Sequence, residues 1–163
     1  MASNNSKGSQ THTLSTGVRV RVTAVNPATL TDIQKGIVNP EVPTKLGDNM
    51  ELVPMLDHPD YLAGVEQKDM ERASAMMDVI ALFNVELVDG LPEDDGWLKK
   101  LRMLHKIGRL DLSGFDFDDE DDREFLYKKH IAVATEDWTT LFKLTRVPQE
   151  ITAHMEQAST ELE

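Results

Sequence analysis

Cysteine is missing from this chain of 163 residues. No disulfide framework is available, and the composition fits a reducing cytosol. Positive charge is scarce: 17 lysines and arginines stand against 29 aspartates and glutamates, a formal charge of −12. Nucleic-acid binding depends on Lys and Arg displacing counterions from phosphates, so this balance argues against a nucleic-acid partner. It favours solubility and self-repulsion instead. Long apolar runs are also absent. None approaches the roughly 18–20 residues that cross a bilayer, and Met1-Ala2-Ser3-Asn4-Asn5-Ser6 lacks the apolar core of a signal peptide. Neither a membrane partner nor a leader is expected.

The parts of known catalytic sites are missing as well. There is no Gly-x-x-x-x-Gly-Lys-Ser/Thr loop, no Gly-x-Gly-x-x-Gly after a strand, no His-Glu-x-x-His and no Gly-x-Ser-x-Gly elbow. The five histidines, His12, His58, His105, His130 and His154, do not stand at metal or triad spacing from one another. The acidic run Asp116-Phe117-Asp118-Asp119-Glu120-Asp121-Asp122 invites a calcium loop. Counted from Asp116, however, the sixth place holds Asp121 where Gly is needed, and the twelfth holds Tyr127 where Glu is needed. A solvated helix N-terminus is the simpler account of the acids. No catalytic residue, cofactor site or metal site is assigned, and a non-enzyme is expected.

What remains is an architecture. Residues 1–15, rich in Ser, Thr, Asn and Gln, read as a flexible N-terminal arm. Residues 16–160 read as a single mainly helical domain, of ordinary domain size. Val18, Val20 and Val22 alternate with Arg19, Arg21 and Thr23, the period of a strand with one buried face. The strand is expected over about 17–25, with residues 50–55 as its candidate partner, and its two arginines would guard an edge. After Asn26-Pro27, Thr29 and Asp32 resemble a capping box before Leu30, Ile33 and Ile37. Asn39-Pro40-Glu41-Val42-Pro43 ends that short helix and reads as a connector.

Asp57-His58-Pro59-Asp60 opens a long helix carrying Tyr61, Leu62, Val65, Met70, Ala73, Met76, Met77, Ile80 and Phe83. Asn84-Val85-Glu86-Leu87-Val88 either continues it or forms a short strand before Asp89-Gly90-Leu91-Pro92 breaks the chain. A further helix buries Trp97, Leu98, Leu101 and Leu104, turns Lys99, Lys100, Arg102 and Lys106 outward, and stops at Gly108. Phe125, Leu126, Ile131 and Val133 mark the next, and Thr135 is expected to cap another around Trp138, Leu141 and Phe142. A last amphipathic helix starts at Val147-Pro148 with Ile151, Met155 and Ala158 on one side. The fold class is mainly α, of the α+β kind: a helical domain with a small N-terminal β element and disordered termini.

Several blocks in this order carry a resemblance. They are Gly17-Val18-Arg19-Val20-Arg21-Val22, the Asn39–Pro43 arm, Asp57-His58-Pro59-Asp60-Tyr61-Leu62, Val85 through Pro92 before Trp97-Leu98, and Asp122-Arg123-Glu124-Phe125-Leu126-Tyr127 with Ile131-Ala132-Val133. The series, covering about residues 17–147, resembles the tail assembly chaperones of tailed bacteriophages. The resemblance implies a non-enzymatic role in the host cytoplasm during phage assembly. It implies binding to the tape measure protein and the tail tube protein, and absence from the mature virion. Many such chaperones are made in two lengths by ribosomal frameshifting. The family has no catalytic residues to carry over. From the residues themselves, Met70, Met76, Met77 and Phe83 are the candidates for a partner-binding groove, since thioethers suit adaptable apolar surfaces. Self-association is a further expectation. The alternative is a structural virion protein, such as a head–tail connector or tail accessory protein.

Overall fold

The structure, a computed structural model, describes residues 9–148. Along the chain run β1 (Gln10–Thr13), β2 (Arg19–Val22), α1 (Pro27–Gly36), β3 (Thr44–Leu46), β4 (Leu52–Pro54), α2 (Pro59–Val79), β5 (Val85–Leu87), α3 (Gly96–Lys106), α4 (Glu120–Tyr127) and α5 (Asp137–Leu144). π-helical turns, Ile80–Asn84 and Lys128–Ala132, follow α2 and α4 directly. The result is a mixed α+β chain. Two compact units divide the described residues: 9–25 with Met77–Arg146, and Asn26–Met76 with Val147 and Pro148.

The first unit is built on an antiparallel sheet in the order β1-β2-β5. Val20 and Val22 on β2 are 0% and 2% exposed and stand opposite Leu87 and Val85, both buried, so the expected alternation is present. The pairing differs from the expectation in three respects. β2 pairs with β1 and β5, whereas the 50–55 stretch supplies β4, which pairs with β3 as a separate, fully exposed hairpin. Burial decides this: β5 offers buried Val85 and Leu87 to β2, while Leu52–Pro54 has no buried face. Gln10–Thr13, expected in the flexible arm, forms edge strand β1, and Leu14 beyond it is 2% exposed. β2 is therefore central, and Arg19 and Arg21 guard no edge. They pair across to Asp89 (2.8 Å) and Glu86 (3.2 Å), exposed ion pairs that solvent screens strongly.

Helices of the same unit supply further buried side chains, including Trp97, Leu98 and Leu101 of α3, Phe125, Leu126 and Tyr127 of α4, and Trp138, Leu141 and Phe142 of α5. Trp97 meets Tyr127 edge to face with ring centroids 5.2 Å apart, a preferred aromatic geometry. α3 ends where expected. Gly108 takes φ +77, and the Arg109 amide reaches back to the Leu104 carbonyl at 2.9 Å. α5 lacks the expected Thr135 cap, since its first turn has no side-chain cap. Asp137, 7% exposed, instead accepts hydrogen bonds from the Ser15 amide (2.9 Å), the Ser15 hydroxyl (2.8 Å) and the Ala134 amide (2.9 Å). This one carboxylate ties the loop after β1 to the start of α5.

In the second unit, Asn26 caps α1 by accepting from the Ala28 amide (2.9 Å), ahead of the expected Thr29 box. The Pro-containing arm is fastened to α2. Arg72 donates to the Ile37 carbonyl (2.9 Å) and the Asn39 side chain (2.6 Å) while pairing with Asp69 (2.9 Å). Pro40 sits so close to α2 that a Cβ on Gly64 would lie 2.9 Å from its ring. Among residues 26–76 only Ala73 and Met76 are buried apolar side chains. This division stands beside the expectation of one domain over 16–160. The predicted helix after Val147 falls almost wholly outside the described residues, as do residues 1–8.

Burial pushes the Asp137 carboxyl upward, but the Ser15 and Ala134 donors and the charge of His12 outweigh it and hold it below the ordinary carboxylate range. A carboxyl depressed in the folded state adds stability that is full above its unfolded value of about 3.9 and is lost as pH falls through its lower folded value. Asp137→Ala is expected to cost about 1–3 kcal/mol in urea unfolding at pH 7, by stranding those donors. The cost should shrink as the titration is repeated toward pH 3.

Candidate functional site

The four sequence-predicted residues differ sharply in exposure. Met70 is 55% exposed and Met76 is 0% exposed, both within the second unit. Met77 is partly buried and Phe83 is 74% exposed, both within the first. Ala73, Met76 and Ile80 recur at three- and four-residue steps and are all buried, so Met76 lies on the inward stripe. Met70 and Phe83 are the two that present most of their side chains to solvent.

Phe83 owes its exposure to local backbone geometry. The π-helical turn Ile80–Asn84 adds a residue per turn, burying Ile80, Ala81 and Asn84 while leaving Leu82 (47% exposed) and Phe83 outward. Its far end is fixed. The Asn84 carboxamide donates to the Ala24 carbonyl (3.0 Å) and the Thr23 hydroxyl (3.3 Å), and the Asn84 carbonyl accepts from the Thr23 amide (3.0 Å). Next to it, buried Lys128 donates to the Val85 carbonyl (3.0 Å) and pairs with Glu124 (3.4 Å), closing the outer edge of β5 at that point. Leu82, Phe83, Arg21, Glu86, Glu124 and Lys128 share an open hollow of about 260 Å³. An aromatic ring, a leucine and charges of both signs can grip a polypeptide. None of these six is a Ser, Cys or His nucleophile.

A second hollow, about 480 Å³, lies between α3 and the loop before α4, lined by Arg102, Phe115, Asp116, Phe117 and Arg123 among others. The Arg102 guanidinium stands 4.8 Å over the Phe117 ring, and the buried Arg123 Nε has no hydrogen-bond partner. The neighbouring acidic run is occupied with backbone amides. Asp116 accepts from the Asp118 amide (2.9 Å), Asp122 from the Asp116 amide (2.8 Å), and Asp119 caps α4 through the Asp122 amide (3.0 Å). Among the described residues no group of three or more His, Cys, Asp and Glu could hold a metal ion, and no helix is long and apolar enough to cross a membrane. The histidines are dispersed. His105 accepts from the Leu112 amide (3.1 Å), and His58 accepts from the Asp60 amide (3.2 Å). Burial first, and then the charge of Lys129, hold His130 below the ordinary histidine range against the pull of Asp78. His154 lies outside the described residues.

Two features escaped the sequence reading. Leu82 beside Phe83 is exposed because of the π turn, which no regular helical period predicts. Leu104, expected inward on α3, is 41% exposed, and Met103 and Ile107 are 58% and 63% exposed. The four-residue step from Met103 to Ile107 was the available signal for this second stripe.

Met76→Asp should place an unpaired charge in a fully buried position. A loss of about 3–5 kcal/mol is expected in chemical denaturation, whereas Met70→Asp, at an exposed site, should stay within about 0.5 kcal/mol of wild type.

Set against protein-family models, curated proteins and solved structures, the chain matches none.

Proposed function

We propose that this protein is a non-enzymatic binding protein that covers apolar helical stretches of a larger partner. We further propose that it is a tail assembly chaperone of a tailed bacteriophage, acting on the tape measure protein and, through it, on tail tube assembly. The observation that carries the binding proposal is Phe83, held outward with Leu82 on a π turn fixed at its end by Asn84. An exposed phenylalanine forgoes about 1.5–3 kcal/mol of burial. A partner that covers the ring recovers that energy, and a rigid mount lowers the entropy lost on binding. A tape measure protein exposes long apolar stripes until the tube surrounds it, and an acidic carrier keeps such a complex soluble by self-repulsion. The order of sequence blocks over residues 17–147 supports the phage assignment.

Co-expression with the tape measure protein of the same phage tests the proposal. The wild-type chain should co-purify with it and raise its soluble fraction. Phe83→Asp should abolish co-purification while the isolated variant keeps its thermal midpoint. Retention of the partner by Phe83→Asp would contradict the assignment of this residue. Detection of the protein at fixed copy number in purified particles by mass spectrometry would contradict the chaperone role and favour a structural virion component.

A further inference from the structure

Helix α3 has two apolar faces, and only one of them is used by the core. Trp97, Leu98 and Leu101 face inward and are buried. Met103, Leu104 and Ile107 are 58%, 41% and 63% exposed. At 100° per residue, Lys99, Met103 and Ile107 follow one ridge, Lys100 and Leu104 the next, and Lys106 flanks Met103 one turn on. The outward face is therefore an apolar stripe set among lysines. The charge is equally uneven. Residues 96–109 hold Lys99, Lys100, Arg102, Lys106 and Arg109 and no acid, in a chain with 29 acids to 17 bases. Among the described residues none of these five makes an ion pair; Arg102 lies over Phe117, and the ion pairs formed elsewhere use other cations.

We infer that the outward face of α3 docks an acidic amphipathic helix of the protein's partner. The stripe supplies apolar burial, and the unpaired lysines supply charge complementarity that orients the incoming helix and speeds encounter. An anionic membrane is the weaker candidate. Half of α3 is committed to the core, and three apolar side chains give little depth of insertion. The inference rests on the binding proposal above but on different residues, so the two fail separately.

The probe is a fluorescein-labelled helical peptide of about six turns with leucine on one face and glutamate on the other, titrated with the full-length protein by anisotropy. Controls are the same peptide with lysine for glutamate, and phosphatidylglycerol vesicles. The acidic peptide should bind saturably and the lysine peptide should not. A variant combining Lys99→Glu, Lys100→Glu and Lys106→Gln, checked for an unchanged circular dichroism spectrum, should bind about tenfold more weakly. A second variant, Met103→Ser with Ile107→Ser, tests the apolar half without changing charge and should also weaken binding. Phe83→Asp should leave peptide affinity unchanged. Equal binding of both peptides, unchanged affinity in both α3 variants, preference for the vesicles, or occupation of the face by a second copy in sedimentation would each overturn the inference. Failure of the wild-type chain to co-purify with the tape measure protein, with peptide binding intact, would sink only the earlier proposal.

Discussion

Strand β2 has neighbours on both sides, and its two inward valines are almost completely removed from water. That placement is the constraint from which the first unit follows. Val20 and Val22 demand apolar partners, and Leu87 and Val85 supply them in antiparallel register. Because a shift of one residue would turn every side chain to the wrong face, the register is firmly set. Once β5 is fixed there, the chain immediately before it is fixed as well. Asn84 is held to Ala24 and Thr23, so the π turn must end at that point and Phe83 must face out. The exposed aromatic ring is thus a consequence of the most buried strand.

On the other side of β2, the loop after β1 is anchored by Asp137, which gathers three donors at the head of α5. Lys128, also buried, caps the Val85 carbonyl on the outer edge of β5. Both are charged groups placed where backbone atoms would otherwise lack partners, and both join segments far apart in sequence. Such groups are costly to bury, and their retention fits positions where no apolar side chain could satisfy the same atoms.

Much of this was legible in the sequence where a single segment sufficed to decide it. The alternation through Val20 and Val22, the Pro59 start of α2, and the Gly108 stop of α3 depend on local chemistry, and each stands as expected. Pairing partners were not legible, because nothing within residues 17–25 specifies whether 50–55, 10–13 or 85–87 lies beside it. The π turn escaped because a regular helical step places Phe83 inward with Ile80. The same limitation separates the four candidate residues. Composition marks Met70, Met76, Met77 and Phe83 alike as greasy, while burial divides Met76 from Met70 and Phe83. Charge was more transparent. The basic cluster of α3 in an acidic chain is visible at once, but that its cations form no ion pair among the described residues needed coordinates.

Function on this account consists of covering apolar surface, and burial of apolar surface has a thermodynamic mark: a negative heat-capacity change. Calorimetric titration of the full-length protein with a helical segment of the tape measure protein, repeated at several temperatures, reads that quantity directly. Saturable binding whose enthalpy becomes steadily more favourable on warming is the predicted result. Absence of saturable binding, or binding with an enthalpy independent of temperature, would contradict it.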